Sequence, residues 1–88
     1  MIINGRLIKG HKTVYQHSIA DTCPPASGFR DKLENCLLGW CGGADIPAPI
    51  WLSKNTSELA RFHKTFFYAE QFTENVGFDR FELKITEI

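Results

Sequence analysis

The sequence predicts an α+β domain in which two helices pack on a mostly antiparallel sheet. Three features indicate this fold class: two strand-like segments around a glycine turn at the start, two helix-like segments in the middle, and an alternating strand near the end. At 88 residues the chain is too short for two hydrophobic cores, so we expect a single domain over residues 1–88. The predicted element order is ββαβαβ, and residues 65–75 can add a short strand and a helical turn.

An N-terminal β-hairpin is the first predicted element. Residues 2–8 and 13–19 are rich in β-branched residues and Tyr, which favour extended backbone. Gly10 lies between the two segments and can take the positive φ that a tight turn requires. The sequence therefore predicts two antiparallel strands joined near Gly10.

The first helix follows a loop over residues 21–28, where two prolines exclude regular structure. Ser27 is the predicted N-cap, and Asp31 suits the first turn of a helix. The apolar residues that follow recur at helical spacing and form one stripe: Phe29, Leu33, Cys36, Leu37, Trp40 and Cys41. The Gly42–Gly43 pair is predicted to end this helix.

The segment after the first helix predicts a strand and then a second helix. Residues 45–49 contain two prolines and are expected to be irregular, whereas Ile50–Leu52 is a short apolar run typical of a buried strand. Asn55, with Glu58 three residues later, resembles a capping box. We therefore predict a helix that begins at Asn55 and ends near residue 64.

Aromatic residues limit how far the second helix can continue. One unbroken helix through Phe72 would be aromatic on nearly all sides, which a surface helix does not tolerate. We expect an extended segment over Thr65–Tyr68 and a helical turn over Glu70–Asn75. After this turn Phe81, Leu83 and Ile85 alternate with polar residues, so residues 80–86 predict a strand with one buried face.

Charge is balanced over the whole chain but not along it. Ten basic and ten acidic residues give zero net charge, which argues against a strongly basic nucleic-acid module, and we do not expect nucleic acid as a partner. Residues 1–20 nevertheless contain no acid, while acids outnumber bases from Phe66 onward. The favoured interpretation is that the basic hairpin pairs with the acidic C-terminal strand, within one chain or across a dimer.

An alternative interpretation makes the basic hairpin a binding site for phosphate, on nucleic acid or on a small anion. Its candidate residues share the hairpin and carry or can gain positive charge: Arg6, Lys9, His11, Lys12 and His17. Tyr15 lies among them and offers a ring for stacking.

The three cysteines do not predict a catalytic or metal site. Trp40–Gly43 resembles the first half of the thioredoxin redox motif, but Ala44 replaces the second cysteine, and a helix C-terminus would raise the thiol pKa. No Cys-x-x-Cys pair is present, so neither a zinc site nor another cofactor is expected. Free thiols and the lack of a signal-like or membrane-spanning segment favour a cytoplasmic protein.

Aromatic side chains are concentrated near the C-terminus, where seven of the eleven lie within residues 62–81. We assign four of these to the core: Phe62, Phe66, Phe78 and Phe81. So small a domain is not expected to enclose all seven together with both tryptophans. The candidate surface for a protein partner or a second copy consists of Phe67, Tyr68 and Phe72.

Parts of the C-terminal half, Leu59–Phe62, Gln71–Phe72 and Phe78–Glu82, resemble a pattern in small bacterial proteins without an assigned activity. That resemblance implies a bacterial, cytoplasmic origin and assigns no activity. Three functions stay open from the residues alone. The leading one is a non-enzymatic intracellular interaction or regulatory module that self-associates or docks a protein. The others are a nucleic-acid or phosphate-binding module and a small thiol- or histidine-dependent enzyme.

Overall fold

The computed structural model describes residues 1–88 and shows two helices packed on one face of a four-stranded antiparallel sheet, which confirms the predicted fold class. The elements in chain order are β1 (Ile2–Lys9), β2 (Lys12–Ala20), α1 (Phe29–Ala44), α2 (Ser53–Phe62), β3 (Lys64–Tyr68) and β4 (Arg80–Glu87). A single 3₁₀ turn, Ala69–Gln71, follows β3. The strand order in the sheet is β2-β1-β4-β3, so β1 and β4 are central.

The N-terminal hairpin forms as predicted, with Gly10 at a φ of 62° in its turn. The register contains one irregularity: Leu7 lies opposite Tyr15, but Ile8 lies opposite Thr13. Val14 is therefore the extra residue of a β-bulge on the outer strand of the hairpin.

The two oppositely charged ends of the chain meet within one molecule, as the favoured interpretation predicted. β1 pairs with β4, and Arg6 lies directly opposite Glu82. The Arg6 guanidinium donates from Nε to Oε1 at 2.8 Å and from Nη2 to Oε2 at 3.1 Å. This two-point contact neutralises the Glu82 carboxylate, which is buried.

Trp40 of α1 is the centre of the core. Its ring is fully buried and stacks on Phe81 of β4 at 4.5 Å and on His17 of β2 at 4.7 Å between ring centroids. Its indole N–H donates to the His17 carbonyl at 2.9 Å. Gly5 of β1 lies beneath the indole, so closely that an added Cβ would overlap ring atoms. One side chain thus joins α1 to three strands.

The inner face of the sheet carries the alternation predicted for the C-terminal strand. Phe81, Leu83 and Ile85 are buried, and the residues between them point to the opposite face. They join the buried stripe of α1, which consists of Leu33, Cys36, Leu37, Trp40 and Cys41.

The bounds of α1 differ from the prediction at both ends. Gly28, not Ser27, is the N-cap, and the helix continues through Gly42–Gly43 to Ala44. The backbone reverses at Asp45 instead, which has a φ of 57°, and the Ile46 N–H donates to the Cys41 carbonyl at 3.0 Å. Because Ile46 also packs against the core, this hydrophobic C-cap outweighs the tendency of two glycines to end a helix.

The strand predicted at Ile50–Leu52 is wrong. These residues form no strand, and the fourth strand of the sheet is Lys64–Tyr68, which begins one residue before the segment predicted to be extended. The backbone of Ile50 bonds to Gln71 instead: its N–H donates to the Gln71 carbonyl, and its own carbonyl accepts from Gln71 Nε2 at 3.2 Å. The segment therefore runs along the 3₁₀ turn as a covering loop.

Asn55 explains why α2 begins at Ser53 and not at Asn55. Its side chain is fully buried and makes four hydrogen bonds. Asn55 Oδ1 accepts from the Leu52 N–H at 3.0 Å, and Nδ2 donates to Thr65 Oγ1 at 2.8 Å and to the Phe66 carbonyl at 3.1 Å. Asn55 is thus a buried junction between the loop, α2 and β3. The helix ends at Phe62, two residues before the predicted end.

We predict that Gly5→Ala destabilises the fold by about 3 kcal/mol, because the added methyl displaces the Trp40 indole from a close-packed core. Gly42→Ala is the matched control: Gly42 lies inside α1 with no neighbour near an added Cβ. It should stabilise the protein by about 0.5–1 kcal/mol. Urea unfolding measures the stability of both variants. Equal stability of the two would contradict the close packing of the Trp40 indole against Gly5.

Asn55→Ala should lower the free energy of unfolding by about 2–4 kcal/mol, because it leaves the Leu52 N–H and the Phe66 carbonyl without their partner. Asn75→Ala, at an exposed asparagine, is the control and should change stability by less than about 0.5 kcal/mol. Thermal unfolding of the two variants side by side tests this difference. Similar melting temperatures would show that the hydrogen bonds of Asn55 contribute little to the stability of the fold.

Candidate functional site

The aromatic partner surface is not formed as predicted. Phe67 and Phe72 are buried, so the expectation that they lie at the surface is wrong, and Tyr68 alone is 41% exposed. Phe67 packs against Phe81 and Trp51, and Phe72 meets Phe78 edge to face at 5.2 Å. The loop before α2 and the segment between β3 and β4 enclose more aromatic surface than the chain length suggested.

Two aromatic residues assigned to the core lie elsewhere. Phe62, the last residue of α2, is 67% exposed. Phe66 is half-buried and shares the outer face of the sheet with Tyr68, since the alternate residues Thr65 and Phe67 point inward. Phe78 and Phe81 are buried as predicted.

The five candidate residues of the basic hairpin do not form one cluster. Arg6 lies on the outer face and is paired with Glu82, whereas His17 lies on the inner face against Trp40. Lys9, His11 and Lys12 are exposed at the turn. Asp79 reaches this turn, where its carboxylate accepts from the Gly10 N–H, so the hairpin tip also carries a negative charge. The tip is therefore not a concentrated anion site.

Two of the three thiols are enclosed by the core. Cys36 and Cys41 are buried, and burial raises the pKa of the Cys41 thiol to about 11 and also raises that of Cys36. Because the thiolate is the reactive form, Cys41 is held in its unreactive state at neutral pH. No group of three or more His, Cys, Asp or Glu side chains is placed to hold a metal ion.

Cys23 should react with a thiol reagent at neutral pH well before the other two cysteines, since it alone is partly exposed. Cys36 and Cys41 should be labelled only as the protein unfolds. Mass spectrometry after timed alkylation, with and without denaturant, measures the order. Rapid labelling of Cys41 in the folded protein would contradict its burial and revive the thiol-enzyme interpretation.

An apolar groove of about 310 Å³ lies between α1 and the loop that follows it. Leu37, Leu38, Pro49 and Trp51 are among its lining residues, and Arg30 and Glu34 bring opposite charges to the lining. Phe29, part of the predicted buried stripe, lines this groove and is only partly covered.

The longest unpaired feature of the structure is the outer edge of β2. β2 has nine residues and a neighbour on one side only, while the opposite edge strand, β3, has five and adjoins α2. Seven residues of β2 are exposed, including the large apolar side chains of Val14 and Tyr15. A strand at the edge of a sheet presents a row of unpaired backbone N–H and C=O groups, which favour pairing with another strand.

Edge protection is confined to the first part of β2. Lys12 and the bulge at Val14 both hinder pairing there. The remainder, Tyr15–Ala20, is regular and contains neither a proline nor an acidic or basic residue other than His17. These six residues thus form a regular strand edge that can pair with another strand.

An aromatic cluster extends from the core to this edge. Tyr15 contacts His17 and Trp40 edge to face, with ring centroids at 5.2 and 5.7 Å. His17 Nδ1 is buried without a hydrogen-bond partner. The inner surface of β2 therefore presents the part-exposed Tyr15 ring next to the free edge. Sequence reasoning missed this surface because it did not predict that β2 would be an edge strand.

No family model matches the chain, and no curated protein or solved structure matches it either. Neither helix is both long enough and apolar enough to cross a membrane.

Proposed function

We propose that the chain is a non-enzymatic protein-interaction module that self-associates through β2. The observation that carries the proposal is the regular, exposed edge of Tyr15–Ala20. Pairing of two such edges would satisfy backbone groups on both chains and extend the sheet from four strands to eight.

Two-fold symmetry restricts how the edges can pair. Antiparallel pairing keeps inner-facing residues opposite inner-facing residues, and these are Tyr15, His17 and Ile19 in β2. The symmetry axis therefore passes between two copies of the same residue. Choosing His17 as that residue uses the stretch of β2 that is free of the bulge. Tyr15 then lies opposite Ile19 of the second copy, so that the part-exposed ring gains an apolar neighbour.

The same register avoids repulsion between the two copies. β2 contains no acid, and its one lysine, Lys12, is its first residue. No two lysines or arginines therefore lie opposite each other across the axis. Gln16 lies opposite Ser18 of the second copy on the outer face. The contact is narrow for a protein interface, and we expect a dimer in concentration-dependent equilibrium with monomer.

A pair of double variants tests the register. Gln16→Glu with Ser18→Glu places carboxylates opposite each other twice across the axis, whereas Gln16→Glu with Ser18→Lys places opposite charges there. Both positions are exposed, and Arg6 lies opposite Gln16 in β1, so each variant should fold. Sedimentation velocity should show a dimer for the wild type, a tighter dimer for the Glu/Lys variant and a monomer for the Glu/Glu variant.

A wild-type protein that stays monomeric at all concentrations would overturn self-association. Equal dimerisation of the two variants would overturn the β2 register even if a dimer exists. Unfolding curves provide the control, because both variants lose the same hydrogen bond from Ser18 Oγ to Asn4 Oδ1 and should have similar monomer stability.

A further inference from the structure

The outer face of the sheet is uncovered and positively charged, although the chain as a whole is neutral. Both helices pack on the inner face, so no second layer covers the outward residues of β1, β3 and β4. The ionisable side chains on this outer face comprise four cations and two acids: Arg6, Lys64, Arg80, Lys84, Glu82 and Glu87. Glu82 is already bound at two points by Arg6, and Glu87 lies at the end of β4, opposite Ile2.

Two lysines on this face oppose each other without a compensating acid. Lys64 of β3 lies directly opposite Lys84 of β4, and neither is in an ion pair. Asn4 is the neighbour of Lys84 on its other side. Like charges directly opposite each other on paired strands destabilise a sheet, so the fold retains an unfavourable contact that a bound anion would relieve.

Aromatic rings lie beside these cations. The Phe66 ring has Lys64 Nζ at 5.8 Å and the Arg80 guanidinium carbon at 5.9 Å from its centroid. Tyr68 has Lys54 Nζ at 5.3 Å. The two ring centroids are 6.4 Å apart, so the rings are neighbours on one strand face and not a stacked pair. Each ring therefore has at least one cation beside it.

We propose that the outer face of the sheet binds single-stranded nucleic acid, with bases stacking on Phe66 and Tyr68 and phosphates held by Lys64 and Lys84. Exposed aromatic rings next to basic side chains are the combination that binds unpaired bases together with their backbone. A duplex hides its bases and would engage the lysines alone. An acidic peptide would neutralise the two lysines but would leave the aromatic rings of Phe66 and Tyr68 without a binding role.

This surface is separate from the edge of β2, so the inference goes beyond the proposed self-association. It also differs from the hairpin site considered from the sequence, since of those residues only Arg6 lies on this face, and its guanidinium is held by Glu82.

The test is fluorescence anisotropy of a labelled oligothymidylate of about 10 nucleotides, titrated with the full chain at several salt concentrations. We expect binding that weakens steeply with salt. Lys84→Gln should weaken it and reduce the salt slope by about one. Phe66→Leu, which keeps an apolar side chain on the strand, should weaken binding by about tenfold with little change in slope.

Lys32→Gln is the matched control, because Lys32 lies on α1, on the other side of the sheet, and should leave affinity within about twofold. Circular dichroism confirms that each variant is folded. Several results would overturn the proposal: no binding at low salt, a Lys32 variant as weak as the Lys84 variant, or a Phe66 variant with unchanged affinity. Equal affinity for a duplex of the same length, or binding only to anionic lipid vesicles, would overturn it as well.

Discussion

The contact between Trp40 and Gly5 determines how the two layers of this protein fit together. The indole lies over a strand position that has no side chain, stacks between His17 and Phe81, and donates its N–H to the backbone of β2. Any larger residue at position 5 would lift α1 from the sheet. Because one helix residue holds three strands at once, the positions of β1, β2 and β4 relative to α1 are fixed together.

Both candidate surfaces follow from this arrangement. Two helices cover only the inner face of four strands, so the outer face stays open, and the pairing of β1 with β4 leaves β2 at the edge. The Arg6–Glu82 pair shows that the outer face is not simply a solvated surface, because it engages Glu82, the acid two residues from Lys84 on the same face of β4. The edge of β2 presents backbone groups that can pair with another strand. The outer face of the sheet presents cationic and aromatic side chains that can bind a ligand.

Local patterns were enough to predict the hairpin, the stripe of α1, the extended 65–68 segment and the alternating last strand, since each depends on side chains close in sequence. Long-range contacts decided the rest. The backbone of Ile50 bonds to Gln71 and not to a strand. Phe67 and Phe72 are buried, in part by loop residues whose positions cannot be predicted from a repeating sequence pattern. Strand order likewise depends on the pairing of residues more than seventy positions apart, so the sequence did not predict which strand would be the edge.

Hydrogen exchange in β2 as a function of protein concentration tests whether its edge pairs with a second copy, because exchange reports on the backbone groups that the second copy is proposed to bind. Alternate amides within Tyr15–Ile19 should exchange fast in dilute protein and slow progressively as the concentration rises, while amides of the other edge strand, β3, stay unchanged. Exchange rates in β2 that are the same at every protein concentration would contradict self-association through this strand.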